Sequence, residues 1–188
     1  MEEEKKEQEV QMETCPCCGK PTLEPEKTYI SNEVIDHYLA CILTGEPFAK
    51  DYYLYNGKMK VRVTSLPDET LDKMNLLTSK FNFIQEEDLK DAYHLFLSRL
   101  FTFLPIVSIT IKTNGEEKIK DIQAVTKPLL DEAVQHTRDK EWLDKAYQTL
   151  LDPAVILCVP KNVLNDVVVG HLKVEKLLET QSASKNFF

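Results

Sequence analysis

The sequence predicts an α+β fold, with two β-hairpins set among five or six helices behind a cysteine-rich N-terminal segment. Two observations carry this. Asn56-Gly57 and Asn114-Gly115 each separate two runs of strand-forming residues, and both residue types accept the positive φ that a two-residue hairpin turn requires. Elsewhere apolar residues recur three and four positions apart, the spacing that gives a helix one buried face.

The elements follow in order. Residues 1–14 hold six acids and two lysines, so this stretch supplies −4 of the charge and reads as an acidic flexible arm. Residues 15–45 combine a cysteine cluster with a first helix. There Ser31 is the N-cap, Glu33 sits in the first turn, Val34, Ile35, Tyr38, Leu39 and Ile42 form an apolar stripe, and Gly45 ends the helix. Residues 46–125 make an α+β core. Its first hairpin pairs Tyr55 with Lys58, Leu54 with Met59, Tyr53 with Lys60 and Tyr52 with Val61. One face then carries Tyr52, Leu54, Met59 and Val61, and the other Tyr53, Tyr55, Lys58, Lys60 and Arg62.

A helix from about Pro67 to Lys80 comes next, with Ser65 as its expected cap and Leu71, Met74, Leu77 and Phe81 as its stripe. A second helix, Glu86 to Phe101, would bury Leu89, Tyr93, Phe96, Leu97 and Leu100. The second hairpin spans Ile106–Thr113 and Glu116–Ile122. A two-residue turn would set Ile109 against Lys120; a three-residue turn with a bulge at Gly115 sets it against Ile119, so side-chain parity favours the bulge. Residues 126–180 read as helical, in Pro128–His136, Lys140–Leu151 and Lys161 to about Glu179, although Val167-Val168-Val169-Gly170 disfavours the last helix. Residues 181–188 form a tail ending in Phe187 and Phe188, two large rings suited to anchoring in a neighbouring subunit's groove.

Composition narrows the function. The 188 residues include 31 acids and 23 Lys+Arg, a net charge of −8, and 43% are hydrophobic, which suits a chain that buries roughly 70% of its unfolded surface. Such an acidic chain is a poor general binder of duplex nucleic acid, which demands surplus cations. The longest apolar run, Phe101 to Ile111, is about half a membrane span and is broken by Pro105. The opening Met-Glu-Glu-Glu-Lys-Lys has no apolar segment behind it, so synthesis in the cytoplasm, not export, is expected.

No P-loop, GxGxxG, HExxH or GxSxG occurs. Of the five glycines, Gly19, Gly45, Gly57 and Gly115 have local roles and only Gly170 is left over, too few for a phosphate-cradling loop. The acid–histidine pairs Asp91/His94, Glu132/His136 and Asp166/His171 read as solvated helix faces, because a carboxylate-bridged metal pair needs matched motifs on two helices. The expectation is that the protein is not an enzyme.

The cysteines lie at 15, 17, 18, 41 and 158, an odd count that argues against a disulfide framework. In Cys15-Pro16-Cys17-Cys18-Gly19-Lys20, Cys15 and Cys18 are spaced to occupy two corners of a zinc tetrahedron, with Gly19 freeing backbone N–H groups toward the sulfurs. This resembles the knuckle of zinc ribbons, without the second knuckle a ribbon has. His37 and Cys41, four apart on the first helix, would complete a Cys3His set. Four protein ligands leave no open position, so the zinc would be structural.

The knuckle, the helix, the Tyr53-Leu54-Tyr55-Asn56-Gly57-Lys58 hairpin and the acid-led helix at Pro67-Asp68-Glu69 together resemble small structural and assembly proteins of tailed bacteriophages, of the tail, baseplate-hub and tail-chaperone class. The resemblance covers about residues 13–80. It implies a virion component, made in the host cytoplasm, that binds copies of itself or other virion and assembly proteins. Tyr53, Tyr55, Lys58, Lys60, Arg62, Phe187 and Phe188 are the expected partner contacts. The alternative expectation is a zinc-dependent nucleic-acid-binding adaptor or regulator whose Lys58, Lys60 and Arg62 touch phosphates.

Overall fold

The computed structural model describes residues 30–152 and 159–185. Cys15, Cys18, Phe187 and Phe188, and the residues of the acidic arm, lie outside this range. The elements belong to one unit, Asn32–Phe188. In chain order they are α1 (Asn32–Thr44), β1 (Ala49–Leu54), β2 (Met59–Thr64), α2 (Asp68–Phe81), α3 (Glu87–Phe103), β3 (Ile106–Thr113), β4 (Glu116–Asp121), α4 (Gln123–Ala133), α5 (Lys140–Leu151) and α6 (Lys161–Lys185). Among the described residues these are six helices and one antiparallel sheet of order β1-β2-β3-β4, which is the α+β class the sequence predicts.

The first hairpin has the register its Asn-Gly turn predicts: Leu54 pairs with Met59, Tyr53 with Lys60, and Tyr52 with Val61. The expected Tyr55–Lys58 pair is not part of the ladder: Tyr55, Asn56 and Gly57 all have positive φ, and the turn is wider than two residues. The second hairpin differs from expectation. Asn114 and Gly115 take φ of +52° and +82°, the two-residue turn, and Ile109 pairs with Lys120, not Ile119. Parity fails as a guide because β4 is an edge strand. Ile119 is 67% exposed on the outer face, and the inward anchor is Ile122, fully buried just past the strand.

Among the described residues, helices cover only the inner face of the sheet. There Met59, Val61, Val63, Ile106 and Ile109 meet the buried side of α3, which presents Leu89, Ala92, Tyr93, Phe96, Leu97, Leu100 and Phe103. Burying each large apolar side chain contributes about 1.5–3 kcal/mol, so this layer dominates the fold's stability. The Tyr93 hydroxyl donates to the Leu77 carbonyl at 2.9 Å, which satisfies the one polar atom that ring carries inward and ties α3 to α2. Helices α4, α5 and α6 pack on the same core through Leu130, Leu143, Leu150 and Leu164.

Three helix details depart from expectation. Ser65 does not cap α2; Pro67 occupies that position, and the Ser65 hydroxyl turns inward instead. Helix α4 starts at Gln123, with Pro128 inside it. The Asp121 carboxylate accepts from Ala124 N–H at 3.0 Å, and the carbonyl Pro128 leaves without its donor belongs to Ala124, at an exposed position. Helix α6 runs unbroken through the valine-glycine stretch because Val167 and Val168 are buried, and burial outweighs a propensity cost of a few tenths of a kcal/mol each.

Candidate functional site

Two surfaces of opposite character emerge. The first is the open outer face of the sheet. Its rows follow from the register: Asp51–Arg62–Ser108–Asp121, then Tyr53–Lys60–Thr110–Ile119, in which Thr110 is buried, then Lys112–Glu117. Tyr53 is 66% exposed and Ile119 67%, at opposite edges of one row. The charges are already matched across strands. Asp51 lies 3.8 Å from Lys60 and 4.0 Å from Arg62, and Lys112 lies 3.4 Å from Glu117.

Of the residues the sequence grouped as a contact face, Tyr53, Lys60 and Arg62 share this surface. Tyr55 and Lys58 do not. They stand in the turn beyond the paired strands and line a hollow of about 230 Å³ at the hairpin tip with Met59, Ile111, Lys112, Val159 and Pro160. The positive φ of Tyr55 takes it off the pleat, so alternation no longer predicts its side.

The second surface is an open cleft of about 720 Å³ between the end of α1, the segment entering β1, the segment leaving β2, and α6. Helix α1 stops in a left-handed turn: Gly45 has φ +70°, and Glu46 N–H donates to the Cys41 carbonyl at 3.1 Å. That turn delivers Phe48 into the base of the cleft. The Phe48 carbonyl accepts from the Ser65 amide at 2.8 Å. The Ser65 hydroxyl, with one hydrogen to give, lies within reach of both the Phe48 carbonyl, at 3.1 Å, and the Glu175 carboxylate.

Behind Phe48 lies His171, fully buried on α6 and not on a solvated face. Its ring stacks on Phe48 at 5.4 Å and meets Tyr52 edge-on at 5.9 Å. Burial, helped by the Lys50 ammonium, pushes its pKa down to about 4, so the imidazole is neutral. Burial and Glu175 push the Tyr52 phenol up to about 12. The Tyr52 hydroxyl and Nδ1 are 3.1 Å apart, and the Glu175 carboxylate on the Nε2 side favours the tautomer with the ring hydrogen on Nε2, in which Tyr52 donates to Nδ1. Nε2 has no hydrogen-bond partner and is 3.9 Å from Glu175 Oε2. Glu175 is itself raised by burial, with Glu179 adding to the effect and the Ser65 hydrogen bond opposing it.

The predicted metal ligands divide between the described and undescribed parts of the chain. His37 and Cys41 meet on one flank of α1, with Cys41 Sγ 3.9 Å from His37 Nε2. Tetrahedral zinc sets a thiolate and an imidazole nitrogen about 3.6 Å apart, so this pair has nearly the required spacing. Nε2 is also 3.2 Å from the Ala49 carbonyl, a donor contact that ligation through this atom would displace. No group of three or more His, Cys, Asp or Glu suited to a metal occurs among the described residues.

Sequence reasoning missed the Tyr52–His171–Glu175–Ser65 cluster. Its members come from three separate stretches, β1, the segment after β2 and α6, and the acid that the sequence sets beside His171 is Asp166, not Glu175. No helix among the described residues is long and apolar enough to cross a membrane. No protein-family model matches the chain, and no curated protein or solved structure matches it either.

Proposed function

We infer that this is a non-enzymatic structural or assembly protein of a virus particle, of the tail and baseplate class, acting through protein contacts on the outer face of its sheet. The viral setting is supported by the resemblance of residues 13–80. The observation that carries the mode of action is the charge balance of that face. Lys60, Arg62 and Lys112 are set against Asp51, Glu117 and Asp121, three and three, and each cation is within 4.0 Å of an acid. Phosphate binding needs unpaired cations, and this face offers none of its three. A neutral surface with an exposed tyrosine and isoleucine suits another protein, including a second copy of itself.

Sedimentation velocity over a range of concentrations tests this. The reading predicts assembly that is lost in Tyr53→Ser/Ile119→Ser while the thermal unfolding curve stays in place. A monomer that instead binds labelled single strands with steep salt dependence would overturn it in favour of a nucleic-acid adaptor. A structural zinc held by Cys15, Cys18, His37 and Cys41 belongs to the same proposal.

A further inference from the structure

A further hollow, of about 310 Å³, opens between the turn that follows α2 and the turn that joins α4 to α5. Lys80, Phe83, Ile84, Thr137 and Arg138 line it. Successive turn bonds fix the first wall: the Asn82, Phe83 and Ile84 amides donate to the Ser79, Lys80 and Phe81 carbonyls at 3.2, 3.0 and 3.2 Å. This winding buries Ile84 and leaves the Phe83 ring 76% exposed. In the second wall Thr137 and Arg138 are the central residues of a turn closed by the Asp139 amide, which donates to the His136 carbonyl at 3.1 Å. Lys80 spans the two walls. Its Nζ donates to the Val134 carbonyl at 2.8 Å, which anchors the ammonium and leaves two of its three hydrogens to give. Asp139, the acid next to Arg138 in sequence, is engaged at the start of α5, where it accepts from the Trp142 amide at 3.0 Å and lies 3.6 Å from His136 Nδ1. The hollow therefore sets two cations and a hydroxyl beside an aromatic ring left in solvent.

We propose that this hollow binds a partner's peptide segment in which a glutamate or aspartate stands two residues from a large apolar side chain. In an extended segment residues i and i+2 point to the same side, about 7 Å apart. The carboxylate bridges Lys80 Nζ and the Arg138 guanidinium, and the apolar side chain covers the Phe83 ring. The volume is at the lower end of sites that enclose ligands and gives room for such a pair of side chains. Charge and polarity together select this occupant. A lysine or arginine would face two cations, and an acid without an apolar neighbour would leave the Phe83 ring in water. The inference does not rest on the outer sheet face, since the five lining residues all lie outside the sheet.

The test titrates the full chain with two end-blocked peptides, acetyl-Gly-Glu-Ser-Phe-Gly-amide and acetyl-Gly-Gln-Ser-Phe-Gly-amide, and with inorganic phosphate, and follows amide chemical shifts. The Glu peptide is expected to saturate with a Kd of about 1 mM and to shift Phe83, Ile84, Thr137 and Arg138. The Gln peptide should bind about tenfold more weakly, a difference of about 1.4 kcal/mol. Arg138→Gln, in an exposed turn, should remove the preference for Glu over Gln, whereas Phe83→Ser should weaken both peptides and keep the preference. Thermal unfolding of both variants should match the wild type. Equal binding of the two peptides, no saturable binding, shifts confined to Tyr53 and Ile119, or phosphate saturating these residues more tightly than the Glu peptide would each overturn the proposal.

Discussion

The Tyr52 hydroxyl on β1 donates to Nδ1 of His171 on α6 at 3.1 Å, joining residues 119 apart in sequence. This bond, made in the tautomer with the ring hydrogen on Nε2, holds the last helix against the first hairpin. Tyr52→Phe keeps the ring and removes the donor, leaving a fully buried nitrogen without a partner. The expected cost is about 1–3 kcal/mol in urea-induced unfolding, with the His171 ring nitrogen shifts losing their single-tautomer pattern.

Stability should depend on pH through the same residue. His171 titrates near its ordinary 6.5 when unfolded and near 4 when folded. Between those values the unfolded chain binds a proton that the folded chain refuses, so this contribution is complete above about pH 6.5 and is lost as pH falls toward 4. At about 1.4 kcal/mol per pH unit the loss is limited to about 3 kcal/mol. Glu175, raised in the fold, works in the opposite sense, its contribution fading as pH rises through its folded value. Unfolding of the wild type and His171→Gln from pH 4 to 7 separates the two. The profile of the variant should lack the histidine's downward slope on acidification; identical profiles would contradict the assignment.

Two glycines should respond to alanine with opposite signs. Neither Gly115 nor Gly170 has any atom within 4 Å of where a Cβ would stand, so only the backbone decides. Gly115 has φ +82°, where an L-residue is strained, and Gly115→Ala should lose about 1–2 kcal/mol. Gly170 lies inside α6, and Gly170→Ala should gain about 0.5–1 kcal/mol. Thermal unfolding of both variants reads the signs directly.

The zinc proposal has its own measurement. Metal analysis of protein purified without chelator is expected to find a zinc ion per chain, lost in Cys15→Ser and weakened in Cys41→Ser. Metal-free wild-type protein would remove the proposal and leave Cys41 as a buried small apolar residue beside His37.

Local pattern made most of the fold readable. Asn56-Gly57 gave the first register because its strands continue into a core, and Lys140–Leu151 was bounded by Asp139 as cap and by its own apolar period. Where solvent replaces core on one side, pattern misleads: Ile119 on edge strand β4 pointed out, not in. On α1 the expected stripe is only half used. Val34, Ile35 and Tyr38 are half-buried, whereas Leu39 and Ile42 are exposed. The cleft was not readable at all, because Ser65, Phe48 and Glu175 are each ordinary in their own segment and become a site only when β1, β2 and α6 converge. Sequence motifs register neighbours in the chain, and this site has almost none.

The central claim, that this protein works by gripping other proteins through its charge-balanced sheet face, is tested most directly by sedimentation velocity of the wild type beside Tyr53→Ser/Ile119→Ser. The account predicts concentration-dependent assembly in the first and a folded monomer in the second. Assembly that survives the double substitution, or a wild-type monomer that binds single strands in a salt-sensitive way, would contradict it.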